Sequence, residues 1–394
     1  MSNQDPIVFV GMARTPMGGF GGSLSSVKST ELGSIAIKAA VERAGIKAED
    51  VQEAIMGCVL PAGVGQAPAR QAALGAGMTV NSTAMTINKV CGSGMKSIML
   101  AHDLLTVGTN EIMVAGGMES MSLAPYLLPT GRYGQRFGHG KTLDHMAFDG
   151  LEDAYEGAAM GVYAEQTVEK YSFTREQQDA FAIESLTRAN AAIKAGHFNN
   201  EIAPVTVKSR RGDTIVDTDE QPPKARPDKI PALRPAFKKD GTVTAANASS
   251  ISDGAAAVVM MRQSEAEKRG LKPIAKIVAQ ESNARTPAEF TIAPVGAIEK
   301  VMASANWAKD DVDLFEINEA FAVVTMAAMK DLDLDHAKVN VHGGATALGH
   351  PIGCSGTRIV VTLIEALRTH GKTKGVASLC IGGGEATAMA IELV

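Results

Sequence analysis

Leu32, Ile35, Ala36 and Ala39 recur at helical spacing, Thr30 stands at an N-cap position ahead of them, and Gly45 supplies a left-handed exit residue. A short apolar strand, Ala54 to Leu60, follows. The stretch from Ile37 to Gly57 lies without gaps on Ile298 to Asn318, and both copies read as helix, acidic turn, strand. Downstream come strand Ala84 to Asn88, a glycine corner at Cys91 to Gly94, helix Lys96 to Val107 and strand Ile112 to Ala115. The same order returns as strand Lys338 to Val341, corner Gly349 to Gly356, helix Thr357 to Leu367 and strand Val376 to Ile381. The pattern predicts an α/β chain of two duplicated halves, each a largely parallel sheet covered by helices.

Between the halves the texture changes to turn-rich polar stretches such as LPTGRYGQRFGHGK and SRRGDTIVDTDEQPPKARPDK, interrupted by one strong helix in which Thr174 and Gln177 form a capping box. The expected organisation is an N-terminal half over 1–118, an inserted loop region over 119–242 for ligand binding and oligomerisation, a completion of the first half over 243–272, and a C-terminal half over 273–394.

The 394 residues exceed any lone small module, and 45% hydrophobic residues with 40 glycines exclude wholesale disorder. A formal net charge of −5 gives no global attraction for nucleic acid or an acidic membrane, so neither is expected as a partner, and an anionic ligand would need a local basic patch. Four scattered cysteines, Cys58, Cys91, Cys354 and Cys380, show neither C-x-x-C nor zinc spacing; a reduced protein without a metal site is expected. The start MSNQDPIVFVGMARTP is too short in apolar residues for a signal peptide, and no run reaches the roughly 18 residues of a membrane span, so the chain reads as cytoplasmic.

Candidate chemistry gathers at strand ends and glycine corners. Cys91, in NKVCGSGMKS, stands where a helix begins, and backbone N–H groups there favour a thiolate; the alternative is an inert buried cysteine. His350, in GGATALGHPIGCSG, sits at a rigid corner suited to a catalytic donor or, equally, to satisfying turn carbonyls. Cys380 ends a strand and precedes Gly382 to Gly384, a run able to present N–H groups to an oxyanion or simply to turn. Asn318, in FEINEAFAV, projects from a strand end or caps the next helix. One shared cleft for all four is the simplest reading.

These residues resemble the thiolases, in the acetyl-CoA acetyltransferase (acetoacetyl-CoA thiolase) branch. The resemblance spans essentially the whole chain through ARTPMGGFGGSL, NKVCGSGMKS, AGGMESMS, REQQDAFA, LRPAF, GTVTAANASSISDGAAA, NEAFA, GGATALGHPIGCSG and LCIGGGEA, in the family's order. It implies a five-layered α-β-α-β-α fold with an inserted loop region. It implies an acyltransferase of lipid metabolism that reversibly condenses two acetyl-CoA to acetoacetyl-CoA and coenzyme A through an acetyl-cysteine on Cys91. By the same resemblance Cys380 is acid and base, His350 activates Cys91, Asn318 positions an oxyanion-site water with His350, and the N–H groups of Cys91 and Gly382 form a second oxyanion pocket.

Coenzyme A is then substrate and product, with no separate cofactor. Leu151, Met160, Phe237, Ala245 and Ser249 match pantetheine-contacting positions, Phe321 lies beside the acyl group, and Arg210, Arg211, Lys224 and Arg226 are candidates for the nucleotide phosphates. The resemblance also implies a homotetramer, a dimer of dimers, with the loop after Ser122 as the tetramerisation element. Three departures stand out: Ala159 where the family has a histidine, Phe290 where methionine is common, and His342 in place of asparagine. Rival readings are a 3-oxoacyl-CoA thiolase of wider chain length, a non-catalytic acyl-CoA or lipid carrier, and a redox protein cycling a Cys91–Cys380 disulfide.

Overall fold

The computed structural model describes residues 5–394; residues 1–4, at the head of the stretch read for a signal peptide, lie outside the described residues. Nine strands matter here: β1 (Ile7–Arg14), β2 (Glu53–Gly57), β3 (Thr83–Ile87), β4 (Ile112–Ser120), β5 (Ser252–Arg262), β6 (Ala275–Ala284), β7 (Leu314–Ile317), β8 (Lys374–Ile381) and β9 (Glu385–Leu393). They follow one another across the sheet as β7-β8-β9-β6-β1-β5-β4-β2-β3. The two half-sheets are joined as strands where Val8 faces Lys276 and Phe9 faces Ala275.

Eight helices matter here: α1 (Ser29–Ala44), α2 (Pro68–Gly75), α3 (Ser93–Thr106), α4 (Met160–Tyr171), α5 (Arg175–Ala195), α6 (Ala293–Ala305), α7 (Ala322–Leu332) and α8 (Ser355–Thr369). Strand alternation sorts the core. In β1, Val8 and Val10 face α1 and α2, while Ile7 and Phe9 face the other way, onto α3 and α8. The central cluster takes side chains from both half-sheets with Met95, Ile98, Ile359 and Leu363 of α3 and α8, and a third cluster packs Ile298, Val301 and Ala328 of α6 and α7 on the outer face of the second half-sheet. The five layers are thus helix, sheet, helix, sheet, helix.

The duplication is visible residue by residue. α1, the turn Ala48–Asp50 and β2 are matched by α6, the turn Lys309–Asp311 and β7, and both helices leave through a left-handed residue, Gly45 at φ 71° and Asn306 at φ 55°.

Several local expectations are corrected. Parallel pairing is confined to β2 with β3 and β4, and β7 with β8; the other main pairs are antiparallel, because β5 returns from the insertion and β9 follows β8 through a tight glycine turn. Lys28, not Thr30, occupies the N-cap of α1, and Thr30 is buried inside the helix. β2 stops at Gly57 because Val59 and Leu60 turn their N–H groups to Glu119 instead of to a strand partner. Lys338 to Val341 forms no strand; a short turn at His336–Lys338 leaves a single bridge from Val339 to Phe315. The capping box at Thr174 and Gln177 is present, with Gln177 N donating to Thr174 Oγ1 at 3.2 Å and Thr174 N to Gln177 Oε1 at 2.9 Å. Among the described residues no helix is long and apolar enough to cross a membrane.

The starts of α3 and α8 cross with no room to spare. A Cβ on Gly94 would lie 2.7 Å from Thr357 N, one on Gly356 would overlap Met95 N, and Thr357 Oγ1 donates to Gly94 O at 2.9 Å. Gly356→Ala is therefore expected to cost about 1–3 kcal/mol through overpacking against backbone, read as a lowered thermal midpoint; a midpoint within one degree or so of wild type would contradict this packing.

Candidate active site

The crossing of α3 and α8 places their N-terminal loops, which carry Cys91 and His350, side by side. Cys91 precedes the N-cap Gly92 of α3, behind Val90 in the left-handed region at φ 45°. Its side chain packs against the cluster of Val59, Leu60, Met121, Met146 and Ile352, the last two residues beyond His350. Backbone N–H groups of Gly382 and of Cys91 itself donate toward its sulfur and lower its pKa, yet burial outweighs them and pushes the thiol up to about 11. The expected thiolate preference is thus corrected: the resting group is a neutral thiol.

Cys380, near the end of β8, is fully buried, and its thiol is pushed well up by burial and by the nearby Cys91 sulfur. The two cysteines, remote along the chain, lie near enough that a charge on the Cys91 sulfur would oppose one on Cys380.

His350 is held by three elements. Its N–H donates to Ser250 O and Ser252 Oγ, both at 3.2 Å. Ser355 Oγ, in the first turn of α8, donates to Pro351 O at 3.0 Å and so must accept from His350 Nδ1–H at 2.6 Å. That assignment leaves the Nε2 lone pair to accept from Asn318 Nδ2, at 3.5 Å. Burial, helped by the Arg358 charge, drives the His350 pKa down to about 3, so the ring is a neutral base at physiological pH.

Asn318 follows β7, at the place Gly57 holds in the first half. There a side chain is impossible, since a Cβ would lie 2.6 Å from Ser93 Cβ and 2.9 Å from Gly353 O. The duplicated scaffold thus offers room for an amide in one copy only.

The ligand-matching positions surround these groups unequally. Met160 opens α4 with its sulfur close to Gly382, and Phe321 packs in one cluster with Phe290, Met160 and Cys380. Phe237 stands edge-on to Phe321 at 6.0 Å and covers Gly161, whose missing side chain makes the space. Leu151 joins the cluster around Cys91. Ser249 N donates to Ala320 O at 2.9 Å beside Phe321, whereas Ala245 is exposed further along the same loop. Lys224 and Arg226 are taken up by Glu220 and Asp228, and Arg210 and Arg211 lie exposed on the turn between Val205–Val207 and Thr214–Val216. Among the described residues no His, Cys, Asp or Glu group could hold a metal ion.

Reading the sequence missed three supports. Ser355 and Arg358 follow His350 on α8, and their i, i+3 spacing, which puts both on one helix face, was the available signal. Glu119, within the quoted AGGMESMS, accepts from Val59 N, Leu60 N and Gly353 N at 2.9, 3.1 and 2.9 Å, tying the β2 exit to the His350 loop; burial raises its carboxyl to about 7. Nothing in one acidic residue announces that clamp. Of the departures, Ala159 starts α4 without a side-chain cap, Phe290 is buried against Phe321, and His342 sits between His197 and His370, 3.1 Å from a ring nitrogen of each.

The fold agrees with comparison to known proteins. A family model for the thiolase N-terminal domain matches residues 7–264, and one for the thiolase C-terminal domain matches residues 271–393. The chain belongs to the thiolase family. A probable acetyl-CoA acetyltransferase of Dictyostelium discoideum is 51% identical over 99% of this chain and 94% of its own. The crystal structure of the Bacillus anthracis acetyl-CoA acetyltransferase superposes with a TM-score of 0.97 at 43% identity, covering 99% of each chain. A thiolase from Ascaris suum, solved in complex with coenzyme A, does so with a TM-score of 0.93 at 43% identity over 99% of this chain and 100% of that one.

Ser355→Ala removes the acceptor that fixes the His350 tautomer and is expected to lower kcat by part of the about 10²–10⁴-fold a positioned base contributes, with KM little changed; a wild-type kcat would contradict the assigned tautomer. Burial and its neighbours hold His342 down to about 3 against an ordinary 6.5. The unfolded chain therefore takes up a proton first as pH falls, and stability is lost between about 6.5 and 3. His342→Asn should make that acid-side fall in stability shallower, checked by denaturant midpoints across pH.

Proposed function

We propose that this thiolase is an acetyl-CoA acetyltransferase that joins two acetyl-CoA molecules into acetoacetyl-CoA and coenzyme A, and reverses that reaction. The observation that carries the reading is the pair of thiols, half-buried Cys91 and buried Cys380, brought near one another, with a neutral His350 paired with Asn318.

Each group then has a task consistent with its surroundings. His350 Nε2 takes the Cys91 proton as the sulfur attacks acetyl-CoA, and the N–H groups of Cys91 and Gly382 steady the tetrahedral oxygen. Cys380 gives its proton to the departing coenzyme A thiolate. Burial that raises its pKa makes the thiolate left behind a strong base, able to take a methyl proton from a second acetyl-CoA. The proton stored on His350 Nε2 now makes that nitrogen a donor to the enolate oxygen, a site it shares with a water that Asn318 positions. Attack of the enolate carbon on the acetyl group expels Cys91, which recovers its proton from His350. Both thiols and the imidazole end as they began.

Phe290, edge-on to Phe321 at 6.4 Å in the cluster that contains Cys380, supports a short acyl pocket over the wider chain-length alternative. The nucleotide end of coenzyme A is assigned to the insertion, with Arg210 and Arg211 as its remaining cationic candidates. Tyr126, Leu128, Tyr133 and Phe137, exposed after Ser122, support assembly through that segment into a homotetramer. Two working thiols require a reducing compartment, and we assign the enzyme to the cytoplasm on that ground.

Mass spectrometry after mixing with acetyl-CoA is expected to find an acetyl group on Cys91, none in Cys91→Ala, and an acetylated but condensation-deficient enzyme in Cys380→Ser. A carrier or a disulfide-cycling protein would form no such adduct. Thiolysis rates should fall as the 3-oxoacyl chain lengthens, and Phe290→Ala should flatten that fall; equal rates for long chains in wild type would favour the broader thiolase.

A further inference from the structure

Arg358 is buried in the middle layer, and nothing in the mechanism above uses it. It lies one helical turn beyond Ser355 on α8, so the helix face that holds the His350 tautomer also points a guanidinium at Asn318. Arg358 Nη1 donates to Glu316 Oε1 at 3.0 Å and Nη2 to Asn318 Oδ1 at 3.4 Å. Glu316 and Asn318 are two residues apart along and just beyond β7, the spacing that puts both on one side of an extended segment. Arg358 Nε has no partner, so the guanidinium is anchored to the protein through that one segment.

An asparagine amide has two ends of nearly equal shape and opposite polarity, and only the N–H end can stabilise an oxyanion. Arg358 donates only, so the Asn318 oxygen must face it and the Nδ2–H group must face His350 Nε2. A full positive charge held there, in low dielectric, also favours negative charge on a neighbouring substrate oxygen and disfavours a proton on the resting imidazole.

On the acetyltransferase reading above, we propose that Arg358, clamped by Glu316, is a positioning residue: it locks the Asn318 amide with its N–H toward the enolate oxygen and biases the site electrostatically toward anions. Its charged surroundings are consistent with this. Glu316 faces it from the β7 exit with Glu319 near Glu316, Glu201 faces it from the insertion with its own partners Arg14 and Asp219, and Cys354 and His350 face it from the loop before α8. Burial raises the Glu316 carboxyl above its ordinary value, and the Arg358 charge opposes that rise.

The test compares wild type, Arg358→Gln and Arg358→Lys in the full-length enzyme, each also in an Asn318→Ala background, by kcat, KM and pH profile in acetoacetyl-CoA thiolysis. Arg358→Gln is expected to lower kcat about tenfold or more, against the 10²–10³-fold of deleting an oxyanion donor outright, with KM nearly unchanged. Its acid limb should move to higher pH, because the charge that keeps His350 deprotonated is gone. Arg358→Lys retains the charge, so its acid limb should stay in place while kcat drops. In the Asn318→Ala background the Gln change should cost only about two- to threefold, the non-additivity of groups acting through one another. An unmoved acid limb in Arg358→Gln, or a full multiplicative loss beside Asn318→Ala, overturns the inference while wild-type turnover leaves the acetyltransferase reading intact. An inactive wild type would refute that reading itself. Should Arg358→Gln fail to fold, the Lys variant decides: wild-type kcat in it overturns the inference.

Discussion

The site exists because two helices approach closely enough for backbone to touch backbone. Gly94 and Gly356 open α3 and α8 at their crossing, and each lacks the one atom that would push the other helix away. Because Cys91 leads into one helix and His350 into the other, the distance between these two residues is set by that contact. A thickness of one methyl group there would be felt directly at the chemistry, in a core already filled from both half-sheets.

Around the crossing the protein buries an unusual amount of charge. Arg14 joins Glu201 and Asp219 of the insertion, Arg358 joins Glu316, and Glu119 receives three backbone N–H groups. Desolvation makes such groups a poor source of stability. Their common geometry offers another reason for them: each links segments from different parts of the chain that must arrive together. Arg14 fastens β1 to the insertion, Glu119 fastens the β2 exit to the His350 loop, and Arg358 fastens α8 to the end of β7. Misplacing any one segment would leave a charge unpaired in the interior.

Burial also sets the protonation pattern. The same low dielectric that holds His350 neutral raises both thiols, so the resting site carries protons on sulfur and none on His350 Nε2. That distribution suits a cycle of proton exchange between sulfur, nitrogen and carbon. It also explains why the helix-start argument for a Cys91 thiolate failed: two N–H groups do act on the sulfur, but the cost of burying a charge is larger.

Much of this was legible from residue order alone. The periodicity of α1 and α6, their left-handed exits and the recurrence of corner and helix follow from local stereochemistry, which a linear string records. So do the identities of Cys91, Asn318, His350 and Cys380 as candidates, since their glycine-rich surroundings are local too. Strand direction was not legible, because whether β5 and β9 pair parallel or antiparallel depends on how the insertion and the glycine turn return the chain. Nor were Thr30's burial, the loss of a strand at Lys338 to Val341, or the supporting roles of Glu119, Ser355 and Arg358, which depend on partners far away in sequence. Residue order determined which groups were available and the turns that carry them; tertiary packing alone decided their protonation and orientation, because both depend on how much water is excluded and on charges that only folding brings near.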